Sequence, residues 1–131
     1  MATLTSIQAN ALSNDFLGLG QAIGDFRYDN WNELSQPQNQ QLSNLQWSIL
    51  NYGEDVLALS TVLVMDDVQT SLDKINNITV EIKSTIQQLK NIQKVINVAA
   101  AIVTFGGAVI SKSPSSIGTA LQGMVDTWKS E

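Results

Sequence analysis

Apolar residues recur three and four positions apart along nearly the whole chain, the spacing that gathers them on one face of an α-helix. In the first segment they read Leu12, Phe16, Leu19, Ile23 and Phe26, with Leu4 and Ile7 ahead of them. This predicts a helix over about 4–33, weakened by Gly18, Gly20 and Gly24. Ser35-Gln36-Pro37-Gln38 then interrupts the pattern. Ser35 is suited to cap a helix, Gln38 three residues on completes a capping box, and proline is tolerated in a first turn. The second stripe is Leu42, Leu45, Ile49, Tyr52, Val56, Leu59 and Leu63, and it passes straight through Gly53. It predicts a helix over 36–65, whose seam faces either the rest of its own bundle or another chain.

After Leu63 the phase breaks. Asp66, with Gln69 three residues on, resembles another helix start, so a tight turn or kink falls at 65–67. From Val68 the rhythm resumes as Leu72, Ile75, Thr79, Ile82, Ile86, Leu89, Gln93, Ile96, Ala100, Val103, Gly107 and Ile110. This predicts one helix over 67–110. A second stripe joins at Ile78 and strengthens through Ile92, Val95 and Ala99, so the helix begins with one wet face and ends apolar nearly all round. Unbroken, it would span about 65 Å at 1.5 Å per residue. A globule of this chain length is only about 35–40 Å across. The pattern therefore predicts an elongated, antiparallel, all-α bundle of about four helices with coiled-coil-like packing. Its last helix, 114–129, carries Ile117, Leu121, Met124, Val125 and Trp128 and folds back from Ser113-Pro114. The whole of 1–131 is read as one domain.

Composition narrows the functions open to such a bundle. With 44% apolar and 15% charged residues, the chain has the makings of a core. Its net charge is −5 and Arg27 is its single arginine, which argues against nucleic-acid binding, where lysine and arginine must displace counterions. Lys74, Lys83, Lys90 and Lys94 share a segment, but Asp73 and Glu81 interrupt them, as on a solvated helix face. Cysteine and histidine are absent, which rules out disulfides, thiolate zinc sites, Ser-His triads and cysteine nucleophiles. Asp25, Asp29 and Glu33 line one helix face, yet the di-iron bundle pattern also needs histidine. Gly18 to Gly24 lack the strand before and the Lys-Ser/Thr after that a phosphate loop requires. The reading is a non-enzyme without cofactors. The N-terminus carries no basic stretch followed by an apolar one, so a soluble protein is expected, cytoplasmic or released by a leaderless route.

The sharpest feature is the run from Val95 to Ser111, uncharged throughout and flanked by Lys94 and Lys112. A membrane-spanning helix needs about 20 apolar residues, with 17 near the lower limit. Val98, Ile102, Val103, Phe105, Val109 and Ile110, with Trp128 of the return helix, are candidate membrane or partner contacts; equally, the run serves as the central helix of a bundle. Small residues such as Ala99, Ala100, Gly106 and Gly107 suit close packing in water or in lipid. Leu42, Leu45, Ile49, Tyr52, Val56, Leu59 and Leu63 are candidates for an oligomer or bundle seam.

Heptad-like helices leading into a short apolar segment, a Ser/Pro turn and a return helix ending in tryptophan resemble the core of the α-helical pore-forming toxins of the cytolysin A and tripartite haemolysin type. The resemblance is one of layout and covers about 54–131. It implies a membrane-active component that keeps an apolar segment folded away and deploys it as an oligomer. The alternative is a helical interaction or scaffold protein that binds itself or a partner helix.

Overall fold

The first helix, α1 (Ser6–Asp29), starts from a capping box. The Gln8 amide donates to Thr5 Oγ1 at 3.1 Å, and the Thr5 amide donates to Gln8 Oε1 at 2.9 Å. The second, α2 (Gln36–Ala58), starts from the Ser35/Gln38 box read from the sequence and runs through Gly53 as expected. A computed structural model describes residues 2–59, 62–111 and 113–130.

Both predicted helices are too long, the first at both ends, since α1 stops at Asp29 and 30–33 form a turn, and the second at its C-terminal end. Leu4 belongs to extended chain, as do Leu63 to Met65. Strand β1 (Ala2–Thr3) pairs antiparallel with β2 (Val64–Met65), and the Leu4 amide donates to the Leu63 carbonyl at 3.1 Å. The local sequence explains this. Val62-Leu63-Val64-Met65 is rich in β-branched residues, and Leu63 and Met65 are both buried, a period of two. The break at 65–67 is a turn. Asp67 sits at φ 44°, a left-handed conformation that aspartate tolerates better than most residues.

The predicted helix 67–110 is not continuous. It forms α3 (Val68–Thr85), a 3-10 turn at Ile86–Gln88, an extended residue at Leu89, and α4 (Ile92–Ile110), capped by the Asn91 side chain on the Lys94 amide. No glycine or proline marks the break. Polar Gln87, Gln88 and Lys90 are exposed through it, while Ile86 is buried and Leu89 half-buried. The break also rotates the buried face. In α3 the predicted stripe Leu72, Ile75, Thr79, Ile82 is buried and continues to Ile86. In α4 the buried line is Val95, Val98, Ile102, Phe105 and Val109, whereas Gln93 and Ala100 of the continued stripe are exposed. The uninterrupted spacing across 86–110 thus joins two helices with different inward faces.

Helix α5 (Pro114–Lys129) follows a sharp turn, at the position expected. Among the described residues the chain forms five α-helices, not four, and they close into a ring. α1 lies between α2 and α3, α2 touches α4, α4 touches α5, and α5 returns to α3. α1 and α2 are antiparallel, with Gly20 facing Leu50 and Gly24 facing Gln46. α3 and α5 run in the same direction, since their first turns share a cleft and Glu81 near the end of one meets Trp128 near the end of the other. The rod expected from an unbroken third helix is not formed. The longest helix has 24 residues, about 36 Å. The accessible surface of 6909 Å² is close to the roughly 6,800 Å² of a compact monomer of this mass.

Candidate functional site

The inside of the ring is apolar, and three rings from three helices meet there. Phe16 of α1 stacks on Phe105 of α4 with centroids 5.6 Å apart, and it meets Tyr52 of α2 at 6.1 Å. Tyr52 lies flat against Gly106, where a side chain on α4 would collide with the ring. Of the seam candidates on α2, Leu42, Ile49 and Val56 are buried inside this bundle, and Leu45, Tyr52 and Leu59 pack half-buried against the same core; Leu63 is buried from the extended segment. Gly53 is a second close approach. Ser13 Oγ donates to its carbonyl at 2.7 Å, and Leu17 fills the space beside it.

Among the described residues, α4 is the one helix long and apolar enough to cross a membrane, with a mean hydropathy of 1.6 and 44% of its most apolar window buried. Val98, Ile102, Phe105 and Val109 point into the core, whereas Val103 and Ile110 are half-buried on its flanks. The outward line is Gln93, Asn97, Ala100 and Thr104, small or neutral side chains that sequence spacing alone did not separate from the apolar ones. Of the two flanking lysines, Lys112 lies outside the described residues. α4 and α5 form a hairpin whose outer groove is lined by Thr104, Ala108, Ser115, Ser116, Thr119 and Ala120, without a charge.

The free end of this hairpin is clasped. Trp128 is buried, and its indole Nε1 donates to Glu81 Oε1 of α3 at 2.9 Å. Lys94 of α4 places its ammonium 5.6 Å from the centre of the Trp128 ring, within reach of a cation–π attraction. The same Nζ donates to the Ser130 carbonyl at 2.6 Å. Elsewhere α5 touches α3 only lightly, and an open cleft of about 320 Å³ separates their first turns. Glu81 and Lys94 therefore hold Trp128 where the ring of helices is least tightly closed. The sequence offered Trp128 as a candidate but gave no sign of its partners, which lie 47 and 34 positions away.

Asp15 is a carboxylate on the core's edge. It borders a narrow crevice with Leu12, Phe16, Leu19, Ile75 and Phe105. Burial raises its carboxyl to about 6, against a smaller lowering by Lys83, whose stem crosses α1 at Gly18. Asp25, Asp29 and Glu33 are exposed, and no group of three acidic side chains positioned for a metal ion occurs among the described residues. Lys74, Lys83 and Lys90 are exposed and scattered.

The chain matches no protein family, and neither the curated proteins nor the solved structures contain a significant match to it.

Proposed function

We propose that the protein is a membrane-active helical bundle whose α4–α5 hairpin is the part that enters lipid. The observation that carries this reading is the charge distribution of the hairpin. α4 is uncharged beyond Lys94, and its outer line, Gln93, Asn97, Ala100 and Thr104, is neutral. α5 adds a second apolar face, Ile117, Leu121, Met124 and Trp128. A helix of this kind is stable in water while its apolar line faces the ring, and beyond Lys94 it transfers to lipid without desolvating a charge. Opening between α3 and α5, together with separation of α4 from Tyr52 of α2 and Phe16 of α1, would free the hairpin while leaving the α1–α2 pair together.

The test is dye release from phospholipid vesicles, compared with Val103→Asp. Val103 is half-buried, so the variant is expected to keep its fold in water, checked by circular dichroism, whereas a carboxylate in mid-bilayer costs about 2.5–3.5 kcal/mol. Release by the parent chain and not by the variant supports the reading. A parent chain that neither floats with vesicles nor releases dye at any pH disproves it.

A second reading rests on the polar outer line of α4. Gln93, Asn97 and Thr104 also suit a permanent core helix of an interaction protein that presents the α4–α5 groove to a second helix. Light scattering bears on it directly: a chain that stays monomeric at all concentrations and retains no helical partner removes that alternative.

A further inference from the structure

The C-terminal end of α1 builds a second surface, unrelated to the hairpin. An open groove of about 280 Å³ runs along α1 beside α2. Its floor is the close approach of Gly24 to Gln46, where any larger residue would strike the amide. Its rim carries two exposed rings, Tyr28 at 81% and Trp31 at 55% of their full accessibility.

Arg27 organises the groove. Its Nε donates to Asn39 Oδ1 at 2.8 Å, its Nη1 donates to Gln46 Oε1 at 3.0 Å, and its guanidinium lies 5.7 Å from the centre of Trp31. Two neutral amides and one ring thus fix the single arginine of the chain, and its outer donors face the groove. The lining is completed by Asp25, a carboxylate acceptor, and Gln21, an amide that donates and accepts.

This set of groups selects among ligands. A quaternary ammonium would compete with Arg27, which already holds the face of Trp31. An anion would meet Asp25, with Asp29 and Glu33 exposed on the same end of α1. A proline-rich peptide offers carbonyl acceptors and would leave the Asp25 carboxylate without donors. A pyranose ring satisfies all of it. Its hydroxyls donate to Asp25 and accept from Arg27, Gln21 and Gln46, and its C–H face lies against Tyr28, the ring that Arg27 leaves open. We propose that the groove between Tyr28, Trp31 and Gln46 binds a neutral hexose or N-acetylhexosamine unit of a polysaccharide.

The experiment is retention of the full chain on insoluble cellulose, chitin, mannan and starch, with elution by the matching soluble oligosaccharide. Retention on one of these polymers is expected. Tyr28→Ala should weaken it by about three- to tenfold, the scale of one lost ring contact, and Trp31→Ala should weaken it by releasing Arg27, both with unchanged thermal melts because both rings are exposed. Trp47→Ala removes an equally exposed ring on α2 outside the groove and should retain binding. No retention on any of the four polymers overturns the proposal. So does retention unaffected by Tyr28→Ala and Trp31→Ala, or elution by tetramethylammonium and not by sugar.

Discussion

The Trp128 indole of α5 donates to the Glu81 carboxylate of α3 at 2.9 Å, and this bond closes the ring of helices at its least tightly packed seam. A hydrogen bond to a charged acceptor contributes about 1.5–3 kcal/mol. Glu81→Ala is therefore expected to lower the melting temperature by roughly 4–8 °C, read by circular dichroism. Glu81→Gln keeps an acceptor and should lose less than half as much. Hydrogen exchange in Glu81→Ala should rise in α5 before it rises in α1 and α2.

Glycines in the hairpin are expected to divide by what surrounds them. Gly106 faces the Tyr52 ring, so Gly106→Ala overpacks the junction of α2 and α4 and costs about 1–3 kcal/mol. A Cβ at Gly118 or Gly123 meets nothing within 4 Å, so alanine there should stabilise α5 by about 0.5–1 kcal/mol each. Urea titrations of the three variants check both signs.

Asp15 gives stability a particular pH dependence. Its folded carboxyl titrates at about 6 against an ordinary 3.8, so the folded state binds the extra proton between those values. This contribution is most favourable below pH 4 and is lost as pH rises through 6. Asp15→Asn should accordingly raise stability at neutral pH by on the order of 1–2 kcal/mol, allowing for solvent screening of a half-buried group. The advantage should vanish near pH 4.

Thr79 is buried at 3% exposure, and its hydroxyl has no hydrogen-bond partner. Leaving such a group unpaired costs about 1–3 kcal/mol. Thr79→Val is expected to raise the melting temperature by about 3 °C or more.

The broken third helix predicts a compact particle. Small-angle scattering should give a radius of gyration near 14 Å, the value for a globule of this length. A continuous rod of helix over 67–110 would give a clearly larger one.

Much of the chain was legible before it was folded. The Ser35/Gln38 box and the Pro114 start are local signals, decided within one turn, and both helices begin where those signals lie. The inward stripes of α2 and α3 were legible for the same reason. The break at Ile86–Asn91 was not. Its residues include no glycine or proline, and the six-residue interruption leaves the count of apolar spacings intact while rotating the inward face of α4. The strand pair was hidden by its brevity, since Leu63 fits a helical count as well as an alternating one. Asp25, Asp29 and Glu33 drew attention as a regular line, whereas Asp15, which faces the core, had no distinguishing spacing.

The sequence by itself determined that this protein is all-α, where most of its helices begin, that α4 is uncharged, and that histidine and cysteine chemistry is absent. These follow from periodicity, capping and composition, which act over a few residues. Only the tertiary structure decided that α4 turns a neutral line outward, that Trp128 meets Glu81 and Lys94, and that Arg27 is fixed between two amides beside two open rings. Each of these depends on which distant helices become neighbours, and that is settled by burial of the whole apolar surface in one closed ring.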